Sequence, residues 1–542
     1  MINWKVYSFY NTIKIVIVKN TSFLLFIAMI LFVSQSFIPF VSIEGFEAME
    51  TSGINYNINN PAVKLDEYNY INRPGRYVIT EWISGLTGLN AMNSSGILSI
   101  FSFLTFIIYG MLFLKRITGA NIYICGIAML LFPALSSAAS FPNSQTYALP
   151  FLAAGLYYIG EKPTLRNYMF SSFLFALSAT MRIDILAMLP LILLVLISQK
   201  NNYSSSVKHT LNFALFTALF VVVFYQYLDL NIIQSIKESN SSTSYAGLWN
   251  LLKITSITTV KFMSVVTMTF YFVGLLSLIK HKKYVLFLIC TYPMIALAFV
   301  YKSNLVESRF MVISTIFLAV SVIEGLKQLF ILRKRMLLIC SIAIGSLFFL
   351  WYSSYHNFSD EIMSREGVHR IYSGSFYEPI RMKQFKNHIN NNHMRLDSTI
   401  KDMLQSNSNN INIMSTLWYA YGGSLDTLTS LNIRYTNVIN TNENKFPKPI
   451  TGVLFNDDIN NRLIKLYLME AWRDYPQDNP EEVIKYIENN IKEDTLVLMT
   501  STDYVKIKDK EFTSNLELKS ISYNWTQYDL CIVLVHPEKG QK

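Results

Sequence analysis

Residues 42–90 read SIEGFEAMETSGINYNINNPAVKLDEYNYINRPGRYVITEWISGLTGLN, and they lie between the first two long apolar runs of the chain. The stretch is rich in Asn and carries a series of acids: Glu44, Glu47, Glu50, Asp66, Glu67 and Glu81. Because the flanking runs are apolar enough to lie in lipid, we expect these acids to be held at a membrane surface. Charged groups are costly in such a place, so their position predicts a functional role.

The composition of the chain indicates that much of it lies in lipid and not in water. Of its 542 residues, 51% are hydrophobic and only 15% are charged, whereas about 25% of the residues of a typical soluble protein are charged. The mean hydropathy is +0.30. We therefore predict a polytopic α-helical membrane protein. Membrane topology explains the net charge of +10 better than nucleic-acid binding does, so we predict no nucleic-acid partner.

The apolar runs predict about eleven membrane spans, because a span needs about 20 mainly apolar residues and fewer where a helix is broken. The two runs on either side of Arg182 are short, and one long broken helix is the alternative there. The predicted spans are 21–41, 94–114, 120–138, 146–160, 168–181, 184–199, 211–230, 262–280, 284–301, 310–326 and 337–355.

Lysine and arginine residues set the predicted orientation. Every second connection between the spans contains more Lys and Arg residues than the connections on the opposite side of the membrane. The connection that holds Lys115 and Arg116 is an example. Positively charged connections stay in the cytoplasm. The N-terminus is therefore predicted to be cytoplasmic, whereas loop 42–93 and the chain after residue 356 are predicted to face outward.

The character of the chain changes after Tyr355, where apolar runs shorten and polar residues dominate. The segments NINIMST, DTLVLMTS and YDLCIVLV have the pattern of short strands. WYAYGGSLDTLTSL reads as a helix, and PEEVIKYIENNIK predicts a second helix that begins at a proline. We predict two domains: a membrane module over 1–356, with the long outer loop 42–93, and an extracytoplasmic α/β domain over 357–542.

The first acids of the outer loop are candidates for proton transfer. Glu44, Glu47 and Glu50 recur every three residues, so on a helix they would occupy one broad face. A carboxylate at the boundary of lipid and water is partly desolvated, which raises its basicity. This suits a general base that removes a proton from a hydroxyl group. The alternative is a solvated amphipathic helix that lies on the membrane surface.

Four arginines on the predicted outer side are candidates for phosphate binding. Arg73 and Arg76 flank a Pro-Gly turn and could hold a phosphate by charge-assisted hydrogen bonds, although nonspecific contact with anionic lipid headgroups is the alternative. Arg182 and Arg309 lie next to apolar runs, where charged residues are functional candidates. Each has an acid two residues away, so pairing that anchors a helix end is the alternative.

Five segments resemble those of one family: IEGFEAM, NRPGRY, FPNSQTYALPFLAAGLYYIG, SATMRIDILAMLPLIL and ESRFMVIS. They are similar to segments of the integral-membrane glycosyltransferases of the GT-C fold, which use polyprenyl-phosphate-linked sugars. The chain departs from that family at Ile43-Glu44, where relatives often have an Asp-Glu pair, and this leaves the identity of the base open. The layout, with a long first outer loop and a large terminal domain, resembles that of the O-antigen-modifying glucosyltransferases.

The resemblance implies a membrane glycosyltransferase with a GT-C-like fold. It would move a sugar from a polyprenyl-phosphate carrier to a cell-surface glycan, or a lipid-linked glycan, on the outer face of a bacterial plasma membrane. Membrane lipid is the further partner. No metal is compulsory, because charge alone can assist the departure of a lipid phosphate, and a divalent cation stays an open alternative.

The resemblance also implies roles for individual residues. Glu44 is the first choice for the general base, and Glu47 is the second. Asp66 and Glu67 would orient the acceptor hydroxyl groups. Arg309 and Arg182 would neutralise the leaving phosphate of the carrier, and Arg73 or Arg76 could help to bind it.

Three other functions remain as alternatives. An O-antigen or polysaccharide polymerase or ligase also has many spans and outward cationic sites, but it usually carries its large outer loop between late spans. A polysaccharide transporter or flippase should show repeated halves with broken helices at matching positions, and the sequence shows no such symmetry. A membrane-anchored binding protein would not need eleven spans.

Overall fold

The computed structural model of the chain describes nineteen stretches of sequence. These are residues 22–41, 54, 73–132, 135, 139–161, 164–200, 203–228, 230–233, 263, 265–301, 308–331, 379–406, 410–431, 433–439, 449–469, 480–490, 493–510, 516–521 and 529–536.

The described chain up to residue 331 is helical. Two 3-10 helices, Ile183–Met188 and Ser308–Ser314, interrupt the α-helical order. The α-helices are α1 (Ser22–Ser34), α2 (Pro74–Thr87), α3 (Ala91–Thr118), α4 (Ile122–Leu130), α5 (Ser144–Glu161), α6 (Leu165–Met181), α7 (Leu189–Lys200), α8 (Tyr203–Tyr227), α9 (Val265–Lys280), α10 (Tyr284–Tyr301) and α11 (Thr315–Ile331).

A described helix overlaps each of the predicted spans except 337–355, which falls outside the described residues. Among the described helices, three are long and apolar enough to cross a membrane: Ala91–Thr118, Ser206–Tyr227 and Met311–Gln328. Several others are apolar but shorter. The number of eleven crossings therefore stays a prediction.

Local signals explain where helix α3 begins and ends. The side chain of Asn90 accepts a hydrogen bond from the backbone N–H of Asn93 at 2.8 Å, which satisfies one of the free donors of the first turn. Lys115 and Arg116 lie in the last turn, where cations stabilise the helix dipole. Gly119 ends the helix with φ 65°, a backbone conformation that glycine adopts without strain.

The chain breaks its helical course at Arg182. Helix α6 ends at Met181, and Arg182 has extended backbone with φ −151° and ψ 108°. The 3-10 helix Ile183–Met188 follows, and α7 begins directly after it. The sequence left open two short helices or one long broken helix here, and the structure shows two helices separated by this irregular turn.

Two glycines allow helices α9 and α11 to pack at close range. A Cβ atom on Gly274 would overlap the backbone carbonyl oxygen of Ser321, and one on Gly325 would overlap that of Phe270. Because each helix contributes one glycine against the backbone of the other, the two backbones approach more closely than larger residues would permit. Ser321 Oγ also donates a hydrogen bond to Tyr271 O at 2.6 Å across this contact.

We expect Gly274→Ala to destabilise the membrane module by about 1–3 kcal/mol, because the added methyl group must push two backbones apart. The thermal unfolding midpoint of the purified chain in detergent measures this effect. Gly85→Ala is the matched control, since a Cβ at Gly85 in helix α2 meets no atom within 4 Å. Equal midpoints for the two variants would contradict the packing described.

The described C-terminal region forms an α/β domain around one seven-stranded sheet with the strand order β2-β3-β4-β1-β5-β7-β6. Strand β1 pairs in parallel with β4 and β5, and the remaining neighbours are antiparallel. The elements in chain order are α12 (Pro379–Ser406), β1 (Ile411–Ser415), α13 (Trp418–Ser430), β2 (Arg434–Ile439), β3 (Pro449–Asp457), β4 (Arg462–Met469), α14 (Pro480–Asn490), β5 (Thr495–Thr500), α15 (Ser501–Ile507), β6 (Leu516–Ser520) and β7 (Leu530–Val535).

Helices cover both faces of this sheet. On strand β5, Leu496 and Leu498 join the apolar cluster formed with α12 and α13, whereas Val497 and Met499 join the cluster formed with α14 and α15. Strands β5 and β7 are therefore buried along their whole length, as strands between two helical layers are. The strands and the two helices predicted from the sequence after residue 410 are confirmed.

A buried ion pair closes the β3–β4 hairpin. Arg462 Nε donates to Asp457 Oδ2 at 2.8 Å, and Arg462 Nη1 donates to Leu404 O at 2.7 Å, which ties the hairpin to the end of α12. Burial acts to raise the pKa of Asp457, but hydrogen bonds from Asn460 and Arg462 outweigh it, so this pKa lies below its ordinary value.

We expect Arg462→Met to destabilise the C-terminal domain by about 3–5 kcal/mol at neutral pH, because Asp457 would stay buried without its cation. The pKa of Asp457 is depressed in the folded state. The contribution of the pair is therefore present above the unfolded pKa of the carboxyl group and is lost as the pH falls through the folded pKa. The difference between variant and wild type should shrink in acid.

Hydrogen exchange of the amides in β3 and β4, measured in the full chain at neutral and acidic pH, reports this difference. Lys465→Met on the same strand is the control, because Lys465 and Glu493 form a longer and more exposed pair at 3.9 Å, which contributes at most about 1 kcal/mol. A loss of equal size in the two variants, or one independent of pH, would contradict the role assigned to Asp457.

Candidate functional site

The described residues include the predicted arginines but not the predicted carboxylates. Arg73, Arg76 and Arg182 are described with their side chains, and Arg309 is described only through its backbone in the 3-10 helix Ser308–Ser314. The predicted acids lie outside the described residues: Glu44, Glu47, Asp66 and Glu67. Their roles therefore stay predictions.

The segment NRPGRY begins helix α2 at the Pro-Gly turn. Arg73 is the residue before the first turn, with φ −143° and ψ 48°, and Pro74 occupies the first helical position, where its missing N–H group costs nothing. The backbone N–H of Arg76 donates to Arg73 O at 3.1 Å. Arg73 is half-buried at this end of the helix.

Arg76 is fully buried, with 0% of its surface exposed. Its Nη2 atom donates a hydrogen bond to Pro142 O at 3.0 Å, and its guanidinium carbon lies 5.9 Å from the ring centre of Tyr147. Tyr147 in turn donates from its hydroxyl group to Ser95 O at 2.9 Å. Arg76 thus joins α2 to the turn that precedes α5, and this contact makes it part of the framework of the site.

Helix α2 begins directly against the end of helix α6. A Cβ atom on Gly75 would lie 2.5 Å from Thr180 Oγ1 and 2.9 Å from Met181 Sδ, so glycine is needed for this approach. Arg182 follows Met181 immediately. The structure therefore brings together two arginine-bearing segments that are more than a hundred residues apart in the sequence.

Arg182 and Asp184 form a bidentate ion pair. Arg182 Nε donates to Asp184 Oδ1 at 3.1 Å, and Arg182 Nη2 donates to Asp184 Oδ2 at 3.0 Å. Less than a tenth of either side chain is exposed. The pairing weighed as an alternative from the sequence is thus present. It also fixes the orientation of the guanidinium group at the break between α6 and the 3-10 helix.

The segment of Arg309 packs against the same group of helices. The 3-10 helix Ser308–Ser314 contacts α5, α10 and α11, and the 3-10 helix Ile183–Met188 also contacts α10. Tyr292 on α10 donates from its hydroxyl group to Ala187 O at 3.1 Å. The two irregular turns that carry Arg182 and Arg309 are therefore linked through one helix.

Helix α2 carries buried hydroxyl groups at helical spacing from Arg76. Thr80 and Ser84 follow Arg76 at intervals of one helical turn on α2, and Ser84 Oγ donates to Ser94 Oγ at 2.9 Å. Within the described part of the chain, the hydroxyl groups of Thr80, Ser95 and Ser144 are buried without a hydrogen-bond partner. Such groups cost about 1–3 kcal/mol each, and proteins tolerate them more often at functional sites than elsewhere.

No group of three or more His, Cys, Asp or Glu side chains within the described ranges could hold a metal ion. The acids of loop 42–72 are not among these residues. The described part of the site can therefore supply cations, N–H donors and hydroxyl groups, which are the groups that bind a phosphate.

Sequence reasoning missed one residue at this site, Lys386. It lies on α12 in the C-terminal domain, is fully buried, and donates to Ser140 O at 2.6 Å, two residues from the carbonyl group that Arg76 contacts. Helix α12 carries many basic residues, and no local pattern distinguishes this one from its exposed neighbours. Only the three-dimensional structure relates it to the site.

Comparison with known proteins identifies the fold. No protein family model matches the sequence, and no curated protein matches it. The chain is similar to the crystal structure of ArnT from Cupriavidus metallidurans in the apo state, with a TM-score of 0.53 and 12% sequence identity over 95% of this chain and 98% of that chain. It is also similar to ArnT from the same organism bound to undecaprenyl phosphate, with a TM-score of 0.51, 12% identity and the same coverage. The chain has an ArnT-like fold of the GT-C type, as the sequence predicts.

Proposed function

We propose, with the ArnT-like fold as the premise, that this protein is a membrane glycosyltransferase. It takes a sugar from a polyprenyl-phosphate carrier and transfers it to a cell-surface glycan on the outer face of a bacterial plasma membrane. The observation that carries the proposal is the similarity over nearly the whole of both chains to a structure that holds undecaprenyl phosphate. The GT-C fold serves such lipid-linked donors, whereas a flippase would need no sugar-transfer chemistry.

The arginine-bearing segments support the donor half of the reaction. Arg73 at the start of α2 and Arg182 at the end of α6 lie on two segments in direct contact. We assign them, with Arg309, to the phosphate of the carrier. Negative charge develops on this phosphate as the bond between the sugar carbon and the phosphate oxygen breaks, and fixed cations stabilise that charge. Arg76, also predicted from the sequence, holds the α2 segment in place from its buried position.

The acids of the outer loop complete the acceptor half of the reaction. Glu44 accepts the proton of the acceptor hydroxyl group as its oxygen forms the new bond to the sugar carbon, and Glu47 is the second choice for this role. Asp66 and Glu67 orient the acceptor. The carrier leaves as polyprenyl phosphate, and charge is conserved because the proton that the acceptor loses resides on the carboxylate.

The experiment that tests this function compares a deletion strain of the host with the same strain carrying the wild-type gene. Mass spectrometry should find that the surface glycan of the deletion strain lacks one sugar residue and that its lipid extract accumulates the sugar-loaded carrier. The wild-type gene should reverse both changes. An unaltered glycan mass in the deletion strain would overturn the proposal. A loss of whole repeat lengths instead of one sugar would favour a polymerase.

A further inference from the structure

Lys386 is a buried cation at the contact between the C-terminal domain and the membrane module. It lies in the second turn of α12, and none of its surface is exposed. Its Nζ atom donates to Ser140 O at 2.6 Å and lies 3.4 Å from Phe37 O. The same atom lies 4.9 Å from the ring centre of Phe141, within the range of a cation–π interaction. Each of these three contacts is to a residue of the membrane module.

Apolar packing surrounds this cation. Val41 and Phe141 of the membrane module are buried in one apolar cluster with Met382 and Phe385 of α12. An ammonium group is retained in such surroundings only where hydrogen bonds and charge replace its hydration. The lysine therefore makes the docking of α12 specific, because a helix shifted by one turn would leave the ammonium group buried without these acceptors.

The turn that Lys386 binds is the turn that holds the start of α2. Pro142 O accepts from Arg76, and Phe141 O lies 3.4 Å from Ser99 Oγ of α3. Asn143 then begins α5, because its Oδ1 atom accepts from the backbone N–H of Thr146 at 2.9 Å. Segment 140–143 is thus held by α12 at one residue and by α2 at another, two residues further on.

We propose that Lys386 is a positioning residue through which the C-terminal domain sets the carrier site. Lys386 fixes segment 140–143, this segment fixes Arg76, and Arg76 fixes the start of α2, where Gly75 meets Thr180 and Met181 next to Arg182. The C-terminal domain is then a working part of the transferase as well as an outer appendage. This inference rests on the proposed function, because it concerns the site assigned to the carrier phosphate.

The test uses the purified full-length chain in lipid nanodiscs with undecaprenyl phosphate as the probe. We expect Lys386→Met to lower the affinity for undecaprenyl phosphate about tenfold, a typical size for coupling between contacting residues. Lys386→Arg should restore most of it, because a guanidinium group can also donate to the two carbonyl oxygens. Lys383→Met is the matched control, since Lys383 lies on the same helix and contacts Gln35 at 3.2 Å in an exposed position. It should leave the affinity within about twofold.

A double-mutant cycle separates positioning from general loss of stability. If Lys386 and Arg76 act through the same turn, Lys386→Met combined with Arg76→Met should bind undecaprenyl phosphate little more weakly than the weaker single variant does. Additive losses, or a wild-type affinity in Lys386→Met, overturn the inference. If Lys386→Met does not fold, Lys386→Gln takes its place in the cycle, because it keeps a hydrogen-bond donor while losing the charge.

A second measurement distinguishes failure of this inference from failure of the proposed function. In a chain with Gln35→Cys and Lys383→Cys, a short thiol cross-linker reports whether α12 is docked on the membrane module. Adding Lys386→Met should lower the cross-linking yield at least threefold, and an unchanged yield overturns the role of Lys386 in docking. If wild-type protein does not bind undecaprenyl phosphate while the yield falls as expected, the docking role stands and the carrier assignment is wrong.

Discussion

Replacing Arg182 with glutamine is expected to lower sugar transfer about 100- to 1,000-fold, the effect of removing one fixed group that stabilises charge in a transition state. The guanidinium group of Arg182 is oriented by its two hydrogen bonds to Asp184 and lies on the segment that meets the start of α2. Its charge is therefore fixed in place before the carrier phosphate leaves. Transfer is measured by the amount of modified surface glycan per folded protein.

Arg182 also neutralises the buried carboxylate of Asp184, so its loss affects stability as well as transfer, and a second variant separates the two effects. Arg182→Gln leaves Asp184 buried without its cation, which costs about 3–5 kcal/mol of stability. Combining Arg182→Gln with Asp184→Asn removes both charges and should restore the thermal unfolding midpoint without restoring transfer. If the double variant regains transfer, Arg182 serves only to anchor the end of α6, which is the alternative that the sequence left open.

Replacing Glu44 with glutamine is the second substitution with a large expected effect. Loss of a general base typically lowers the rate about 10²- to 10⁴-fold, and the amide keeps the size of the carboxylate while losing its basicity. We expect Glu47→Gln to lower transfer less, because Glu47 is the second choice. Glu50→Gln is the matched control, since Glu50 continues the same three-residue spacing but has no assigned role.

The mass of the surface glycan and the level of sugar-loaded carrier measure the outcome in cells. Glu44→Gln should reproduce the deletion strain in both readouts at a normal protein level. Asp66→Asn and Glu67→Gln should raise the KM for the acceptor by a larger factor than they lower the maximal rate, because these residues orient the acceptor. Wild-type glycan in all four acid variants would show that the outer-loop assignment is wrong.

Local signals in the sequence were sufficient for most of the helices and strands. The Pro-Gly turn of NRPGRY begins α2, the Pro-Glu-Glu start of α14 begins that helix, and the β-branched runs at 495–500 and 530–535 are strands. Each of these follows from the conformational preferences of neighbouring residues. The GT-C fold came from the motifs along the membrane module, and the likeness to ArnT supports it.

Contacts between distant segments could not be predicted in the same way. In the sequence, Gly75 has the features of an ordinary turn residue, and only the structure shows that Thr180 and Met181 lie against it. In the sequence, Lys386 is one of several lysines on a polar helix, and only the structure shows that the backbone oxygens of Ser140 and Phe37 accept its hydrogen bonds. Such contacts depend on how helices pack across more than a hundred residues of chain, and periodicity within one helix carries no signal for them. The arrangement of the site therefore depends on contacts between distant segments, which the sequence alone does not indicate.

The central claim is that the carrier lipid gives up its sugar in a chemical step. The most direct measurement adds the purified full-length chain in nanodiscs to sugar-loaded carrier lipid and surface glycan from the deletion strain, and follows both by mass spectrometry. We predict release of free polyprenyl phosphate and an equal gain of one sugar on the glycan, with neither in Arg182→Gln/Asp184→Asn. Carrier that keeps its sugar in the presence of folded wild-type protein and acceptor would contradict the account.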